Sequence, residues 1–228
     1  MRYALIAAAI AMAVLAPACS RLSDGRPTAG PDTTAPITAP TSVPTTTSVA
    51  PPDDPDYPVP GVAVTTQPAQ SCYPGTSTPV SIVAQVSDPG APTVTLGVPD
   101  GWSMSSGGAD PVGARLQGPE AMQATVTISP TTLGPEDAFR QYEDDRTSAS
   151  SISTLSLLPA ELCGFSGQRL IGILSDGNET VQYEDRIVHV PGPSRDFLIA
   201  VHVEAPSGTP GFDEAAAQLT ADFGIGIP

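Results

Sequence analysis

The two histidines are the residues with the clearest capacity for acid–base chemistry in this sequence. His189 lies within Ile187-Val188-His189-Val190, and His202 lies within Ala200-Val201-His202-Val203. Both stretches have the apolar character of a buried β-strand. A histidine among such neighbours is more often a partly buried, hydrogen-bonded residue than a catalytic base. We therefore interpret both as structural, and the alternative is a cell-envelope hydrolase that pairs His189 or His202 with a carboxylate.

Other residues that could serve a catalytic or cofactor site lack the spacing that such a site requires. Gly164-Phe165-Ser166-Gly167 does not have the spacing of a nucleophile elbow. In the pairs Glu184-Asp185 and Asp213-Glu214, adjacent side chains on a strand would point to opposite faces, so we expect surface charge. No phosphate-binding or dinucleotide-binding glycine motif follows a predicted strand. The sequence therefore predicts a protein that is not an enzyme, with no catalytic residue and no cofactor.

The beginning of the chain has the features of a bacterial export signal. An apolar run over residues 4–16 is too short to cross a hydrocarbon core of roughly 30 Å. Cys19 then follows the small residues Ala16 and Ala18, which resembles the lipobox, in which the cysteine thiol receives diacylglycerol. The motif departs from the usual pattern because Leu15 stands four residues before the cysteine instead of three. The same small residues also suit an ordinary signal peptidase, so both kinds of processing remain open.

The count of three cysteines favours lipidation of Cys19. An odd number of cysteines in a secreted chain leaves one thiol unexplained. If Cys19 carries the lipid, Cys72 and Cys163 are free to form one disulfide in an oxidising compartment, and the alternative is two buried free thiols. Closing a loop of about 90 residues would stabilise the fold by roughly 4 to 5 kcal/mol. No metal site is expected, because neither Cys72 nor Cys163 has a partner two to four residues away.

Composition divides the chain into three parts. Residues 1–18 are predicted to be a signal peptide, and residues 19–70 a lipidated, disordered tether rich in Pro, Thr and Ser. Residues 71–228 are predicted to form a single globular domain, held outside the cytoplasm by a lipid anchor in the cell membrane. The Thr and Pro content of the tether also resembles O-glycosylated stalks, and its glycosylation is left open.

The charge of the chain limits the class of partner. Nine basic residues, all of them Arg, face twenty-four acidic residues, which gives a net charge of −15. Nucleic acid is therefore not an expected partner, because phosphate backbones are bound by a clustered basic surface. The expected partners are the membrane, through the lipid anchor, and a glycolipid or an envelope protein. We expect the domain to be a monomer.

Alternation of apolar and polar residues predicts a strand-rich domain. The last four predicted strands look sequentially antiparallel, with a hairpin turn at Ser175 to Asn178. Trp102, the only Trp of the chain, follows a Pro-Asp-Gly turn and is predicted to be a core or rim anchor. The predicted strands are Val80 to Ala84, Val94 to Val98, Ala114 to Gln117, Gln123 to Ser129, Ile152 to Leu158, Gly167 to Leu174, Thr180 to Val190 and Asp196 to Ala205.

Two helices are predicted between and after these strands. Gly134-Pro135-Glu136-Asp137 has the proline and the acidic first turn of a helix start, and this helix would run to about Thr147. Thr209-Pro210 is predicted to open the second helix, with five apolar residues on one face: Phe212, Ala215, Ala216, Leu219 and Phe223. Strands with two separated helices predict an α+β fold, an antiparallel β-sheet covered by helices.

The order of several segments resembles the LpqN/LpqT family of mycobacterial lipoproteins. The segments that carry this resemblance are Val94 to Trp102, Ala124 to Ile128, the helix at Glu136 to Asp145, Ser166 to Arg169, and Phe223 to Ile225. They span most of the predicted domain. The Cys72/Cys163 pair is not a feature of the family pattern.

The resemblance implies a PsbP-like α/β/α sandwich in the actinobacterial cell envelope. It implies binding of partners or envelope glycolipids and transfers no catalytic residue. Our main hypothesis is a binding module that holds an apolar ligand, a glycolipid or an envelope protein in a pocket between sheet and helix. Such a pocket would be lined by the helix of Phe139 and Tyr142 or by the helix of Phe212 and Phe223. The remaining alternatives are the hydrolase and a purely structural or antigenic surface protein.

Overall fold

The structure is a computed structural model that describes residues 71–75, 78–105, 108–148 and 150–228. The predicted signal peptide, the lipidation site Cys19 and the tether over residues 19–70 lie outside the described residues.

Ten strands and two helices follow one another in an order that confirms the α+β prediction. In chain order they are β1 (Ser81–Ala84), β2 (Thr93–Gly97), β3 (Ser103–Ser105), β4 (Val112–Gln117), β5 (Gln123–Thr131), α1 (Pro135–Ser148), β6 (Ile152–Pro159), β7 (Gly167–Ser175), β8 (Thr180–Val190), β9 (Asp196–Pro206), α2 (Phe212–Thr220) and β10 (Gly224–Gly226).

Seven of the strands form one antiparallel sheet, in the order β3-β4-β5-β9-β8-β7-β6. The predicted succession of four antiparallel strands is confirmed, because β6 to β9 pair in sequence order. β8 and β9 lie near the centre and pair from Val181 opposite Pro206 to Val190 opposite Phe197. Because side chains alternate across a strand, this register fixes which residues of β8 and β9 share a face.

Each face of the large sheet has its own hydrophobic cluster. On one face, Val188 and Val201 belong to the larger cluster, which also contains residues of α2 and of the small sheet. On the other face, Ile187 and Ala200 pack with Phe139 of α1. Strands that are covered on both faces read as nearly continuous apolar runs, which explains the character of β8 and β9 in the sequence.

A second sheet of three strands, in the order β1-β2-β10, was not predicted. β10 and β3 have three residues each, too few to show an alternating pattern. β10 also lies close to the first described residues, since Cys72 and Ile225 exchange backbone hydrogen bonds of 2.9 and 3.0 Å. A Cβ atom on Gly224 would come within 2.8 Å of the Cys72 carbonyl oxygen, so a glycine permits this approach.

The first helix follows its prediction and the second is shorter than predicted. α1 begins at Pro135 with acidic residues in its first turn, where the helix dipole favours them. α2 ends at Thr220, so the prediction that Phe223 lies on its apolar face was wrong. Phe223 is fully buried beyond the helix, next to β10. Its spacing fits a continued helix, but packing of the small sheet ends the helix first.

A disulfide joins Cys72 to Cys163, with their Cα atoms 5.8 Å apart and a sequence separation of 91 residues. Cys163 occupies the turn that connects β6 to β7 and has a φ of 55°, in the left-handed region. Both cysteines pack against the larger hydrophobic cluster. The disulfide therefore attaches the start of the described chain to a hairpin of the large sheet.

Removing this disulfide should destabilise the protein strongly. We expect the double substitution of Cys72→Ser and Cys163→Ser to lower the free energy of unfolding by about 4 kcal/mol. The reason is that a closed loop of this length removes much conformational entropy from the unfolded chain. Urea unfolding of the double variant and of the wild type, each with and without a reducing agent, measures this. The reductant should affect only the wild type, and an equal stability of the two proteins would contradict the prediction.

Candidate functional site

Four charged side chains meet where α1 covers the large sheet, and we call them the ionic cluster: Arg146, Asp185, His202 and Glu204. Asp185 of β8 lies directly opposite His202 of β9, so their side chains share the α1 face. Glu204 follows His202 by two residues and shares that face. Arg146 is the basic residue of the last turn of α1, where its charge is favourable to the helix dipole.

The contacts of the ionic cluster balance its charges. His202 contacts Asp185 through Nδ1, and its Nε2 lies 3.0 Å from Glu204 Oε2. Arg146 Nε lies 3.4 Å from Asp185 Oδ2, and Arg146 Nη2 donates a 2.8 Å hydrogen bond to the Tyr142 hydroxyl. Arg146 and, in its protonated form, His202 thus face the two carboxylates of Asp185 and Glu204. Such pairing is required here because Asp185 is fully buried, and a buried charge without a partner costs several kcal/mol.

The same contacts move the pKa of two members of the cluster. Burial lowers the pKa of His202, but the attraction of Asp185 and the hydrogen bonds to Asp185 and Glu204 outweigh it and raise the pKa overall. The hydrogen bond from His202 holds the pKa of Glu204 below its usual value. In its protonated form His202 can donate to Asp185 through Nδ1 and to Glu204 through Nε2.

This geometry bears on the hydrolase alternative. A general base needs a nitrogen lone pair, and both nitrogens of His202 contact carboxylates. His189 is 6% exposed, and its Nε2 lies 3.0 Å from the Leu133 carbonyl oxygen and 3.5 Å from Asp196. The two histidines have separate partners and do not form one site. The ionic cluster is suited to holding α1 on the sheet.

The prediction that Glu184 and Asp185 carry surface charge was wrong, although their side chains do point to opposite faces. Glu184 is 4% exposed and accepts two hydrogen bonds of 2.8 Å from Arg169, together with one from Thr220. The sequence did not reveal this burial because β8 is covered by a different layer on each face. Asp213 and Glu214, by contrast, are exposed in the first turn of α2.

Sequence reasoning missed Arg146 and Tyr142 as partners of the buried charges. Their spacing of four residues places them on one side of a helix, where Tyr142 lies 5.4 Å below the Arg146 guanidinium. That spacing was the feature of the sequence from which contact between Tyr142 and Arg146 could have been predicted. The sheet partners could not be inferred, because they depend on the register of β8 against β9.

A cleft of about 540 Å³ beside Trp102 is a separate candidate site, and we call it the Trp102 cleft. Its apolar lining includes Trp102, Met122 and Ala215, and its polar lining includes Glu214 and Gln218, both exposed on α2. The exposed lining is about equally polar and apolar, so the cleft presents both kinds of surface at one opening.

The local backbone explains how Trp102 reaches this cleft. The Trp102 N–H donates a 3.1 Å hydrogen bond to the Pro99 carbonyl, and Gly101 between them has a φ of 80°, which glycine adopts readily. A Cβ atom on Gly118 would lie 2.4 Å from the Trp102 ring, so glycine lets the ring lie against the β4–β5 turn. Trp102 is half-buried, as expected of a rim anchor.

Phe139 on α1, Phe212 on α2 and Phe223 just after α2 are all buried. None of the three lines the Trp102 cleft, which lies at the beginning of α2.

Within residues 71–75, 78–105, 108–148 and 150–228, no group of three metal-binding side chains comes together. None of the helices in this described part is long and apolar enough to span a membrane.

Comparison with known proteins supports the fold. No family model and no curated protein matches this chain. Among solved structures, the chain is similar to LpqN of Mycobacterium tuberculosis, a protein described as involved in cell envelope biogenesis. The match has a TM-score of 0.53 and 19% sequence identity, and it covers 64% of this chain and 91% of LpqN. At this identity the likeness shows a shared fold.

The pKa shifts of the ionic cluster predict a pH-dependent stability. Because the pKa of His202 is raised above its unfolded value of about 6.5, its stabilising contribution is complete below that pH and is lost as the pH rises through the folded pKa. Because the pKa of Glu204 is lowered, its contribution is present above about 4.3 and is lost as the pH falls through its folded pKa.

We therefore expect the wild type to lose stability as the pH rises above about 6.5 and through the folded pKa of His202. His202→Gln should remove this decline, whereas the control His189→Gln should retain it. Urea unfolding at a series of pH values provides the measurement. A decline of the same size in His202→Gln would show that another group causes it.

Proposed function

We propose that this chain is a lipid-anchored protein of the cell envelope whose domain binds a glycolipid or related amphipathic ligand in the Trp102 cleft, without catalysis. The observation that carries the proposal is the combination of a half-buried Trp with polar groups in one open cleft. The fold likeness to LpqN, a protein of envelope biogenesis, supports the cellular setting. A PsbP-like α/β/α sandwich, with α1 and α2 on opposite faces of the large sheet, belongs to the same proposal.

The lining of the cleft fits an amphipathic ligand better than a purely apolar one. Trp102 is half-buried and offers apolar surface to an acyl chain or to the C–H face of a sugar ring, whereas Val98 and Met122 of the lining are buried. Asp100 and Glu214 offer carboxylate oxygens to hydroxyl groups at the same opening. A ligand with hydroxyl groups beside an apolar part would use both kinds of surface, whereas a plain fatty acid would place its own negative charge near these two carboxylates.

The absence of catalysis is proposed from the histidines. His202 is held between two carboxylates, and His189 is buried against a backbone carbonyl. Neither histidine lines the Trp102 cleft. A hydrolase would need a base near its bound substrate, so the binding hypothesis accounts for the geometry with fewer assumptions.

Anchoring through Cys19 completes the proposal. A diacylglycerol and a further acyl chain such as palmitate would attach the chain firmly, since a single acyl chain binds membranes only marginally. The Pro-rich segment over residues 19–70 would then separate the domain from the membrane surface.

Lipidation can be tested directly. We expect the mature wild type to begin at Cys19, to exceed its peptide mass by a diacylglyceryl group, and to fractionate with membranes. Cys19→Ala should appear in the soluble fraction. Intact mass spectrometry decides the question, because an ordinary signal peptidase would also leave Cys19 as the first residue but without added mass. An unmodified Cys19 in membrane-extracted protein would contradict the proposal.

The Trp102 cleft can be tested by native mass spectrometry of the full chain with added dodecyl maltoside below its micelle concentration. We expect a one-to-one complex, and we expect Trp102→Ala to weaken it by about thirtyfold, equivalent to roughly 2 kcal/mol for a central aromatic anchor. Tyr73→Ala is the matched control, because Tyr73 is 87% exposed and does not line the cleft.

The comparison ligand is dodecyl phosphocholine, which has an alkyl chain of the same length and no sugar. Equal binding of both detergents would show that the cleft recognises the alkyl chain and not the sugar. Undiminished binding of dodecyl maltoside by Trp102→Ala would contradict the assignment of the cleft, and the search would move to an envelope protein as the partner.

A further inference from the structure

The outer edge of β6 is open and lacks the features that usually protect an edge strand. β6 ends the order of the large sheet, and no strand of the described residues pairs with its outer side. Its pairing with β7 continues over eight residues without a bulge. Its sequence, ISTLSLLP, contains no charged residue, and its single proline is the last residue. A long, regular and uncharged edge strand is a template for pairing with another strand.

The opposite edge of the same sheet differs. β3 has only three residues, and short length is one of the ways in which proteins protect an edge. The open edge of β6 is accompanied by exposed apolar side chains on the sheet face: Ile152 is 66% exposed, Leu158 is 43% exposed, and Ile173 of β7 is 41% exposed. The unpaired backbone groups of β6 and these exposed apolar side chains therefore lie at the same edge of the sheet.

We propose that β6 pairs antiparallel with β6 of a second copy of this chain, so that the two large sheets form one continuous sheet in a two-fold dimer. This inference is independent of the Trp102 cleft, and it replaces the monomer that we expected from the sequence. It rests on the open edge of β6, its lack of charge and its self-complementary order of residues.

The order of residues along β6 fits a second copy. In an antiparallel pair, residues directly opposite each other must lie on the same face of the sheet. With the two-fold axis at Leu155, Ile152 of each copy lies opposite Leu158 of the other, and Thr154 lies opposite Ser156. The two exposed apolar residues of each strand would then cover each other at both ends of the pair, which stabilises such cross-strand contacts.

At the edge of β6, charge does not oppose contact between two copies. The chain carries a net charge of −15, so two copies repel each other over most of their surface. β6 brings no charged side chain to the contact, and it offers none to attract an acidic or a basic peptide. A two-fold contact is also closed, because each copy uses its single open long edge and leaves none for a third copy.

The test uses the full chain, extracted from membranes and studied by sedimentation equilibrium in a density-matched detergent. We expect the wild type to reach twice its monomer mass at micromolar concentration. Ser156→Lys should raise the dissociation constant at least about tenfold, because it places two like charges beside the two-fold axis. Ser103→Lys is the matched control, since it makes the same change on the exposed, short edge strand β3 and should leave the dimer intact.

The register is tested with single cysteines in a Cys19→Ser background, which leaves no other free thiol. Leu155→Cys should form a disulfide-linked dimer on mild oxidation, because Leu155 meets its own counterpart at the axis. Leu157→Cys lies on the same face but opposite Ser153, and it should remain largely uncrosslinked.

Several outcomes would overturn the proposal. A wild type that stays monomeric, or a Ser156→Lys variant that dimerises as the wild type does, would exclude β6 as the contact. Crosslinking of Leu157→Cys in preference to Leu155→Cys would exclude the stated register. Thermal unfolding of each variant alone shows that it is folded, and ligand binding in the Trp102 cleft is measured separately.

Discussion

The pairing of β8 with β9 is the interaction on which the rest of this structure depends. These two strands are the longest of the large sheet and lie near its centre, and layers pack on both of their faces. One face is closed by α2 and the small sheet, and the other by α1. Glu184 and Asp185 lie on opposite faces of β8, so both are buried and need a partner, which explains why each faces an arginine.

This constraint links the fold to the proposed function. The ionic cluster holds α1 to the sheet, and the disulfide holds the start of the described chain to the β6–β7 turn. The binding sites that we propose lie at the ends and edges of this scaffold. The Trp102 cleft is formed by the β2–β3 and β4–β5 turns and the beginning of α2, at one end of the sheet. A rigid scaffold with a binding cleft at its loops is a common arrangement.

Much of the fold follows from sequence pattern, and much of the site does not. The α+β class, the four consecutive antiparallel strands and the start of α1 were predictable because periodicity and capping residues are local signals. β3 and β10 were too short for such signals, and the end of α2 before Phe223 is set by tertiary packing. Trp102 was recognised as an anchor. The burial of Asp185 and its contacts with His202 and Arg146 depend on strand register and helix placement, which no local pattern records.

We propose that the Trp102 cleft receives an amphipathic ligand, and intrinsic fluorescence can measure this in solution. The chain contains one Trp, so its emission reports on this cleft alone. Titration of the full chain with dodecyl maltoside below its micelle concentration should produce a saturable blue shift, because a bound ligand removes water from the half-buried ring. An emission spectrum that stays unchanged while the ligand is bound would contradict the claim.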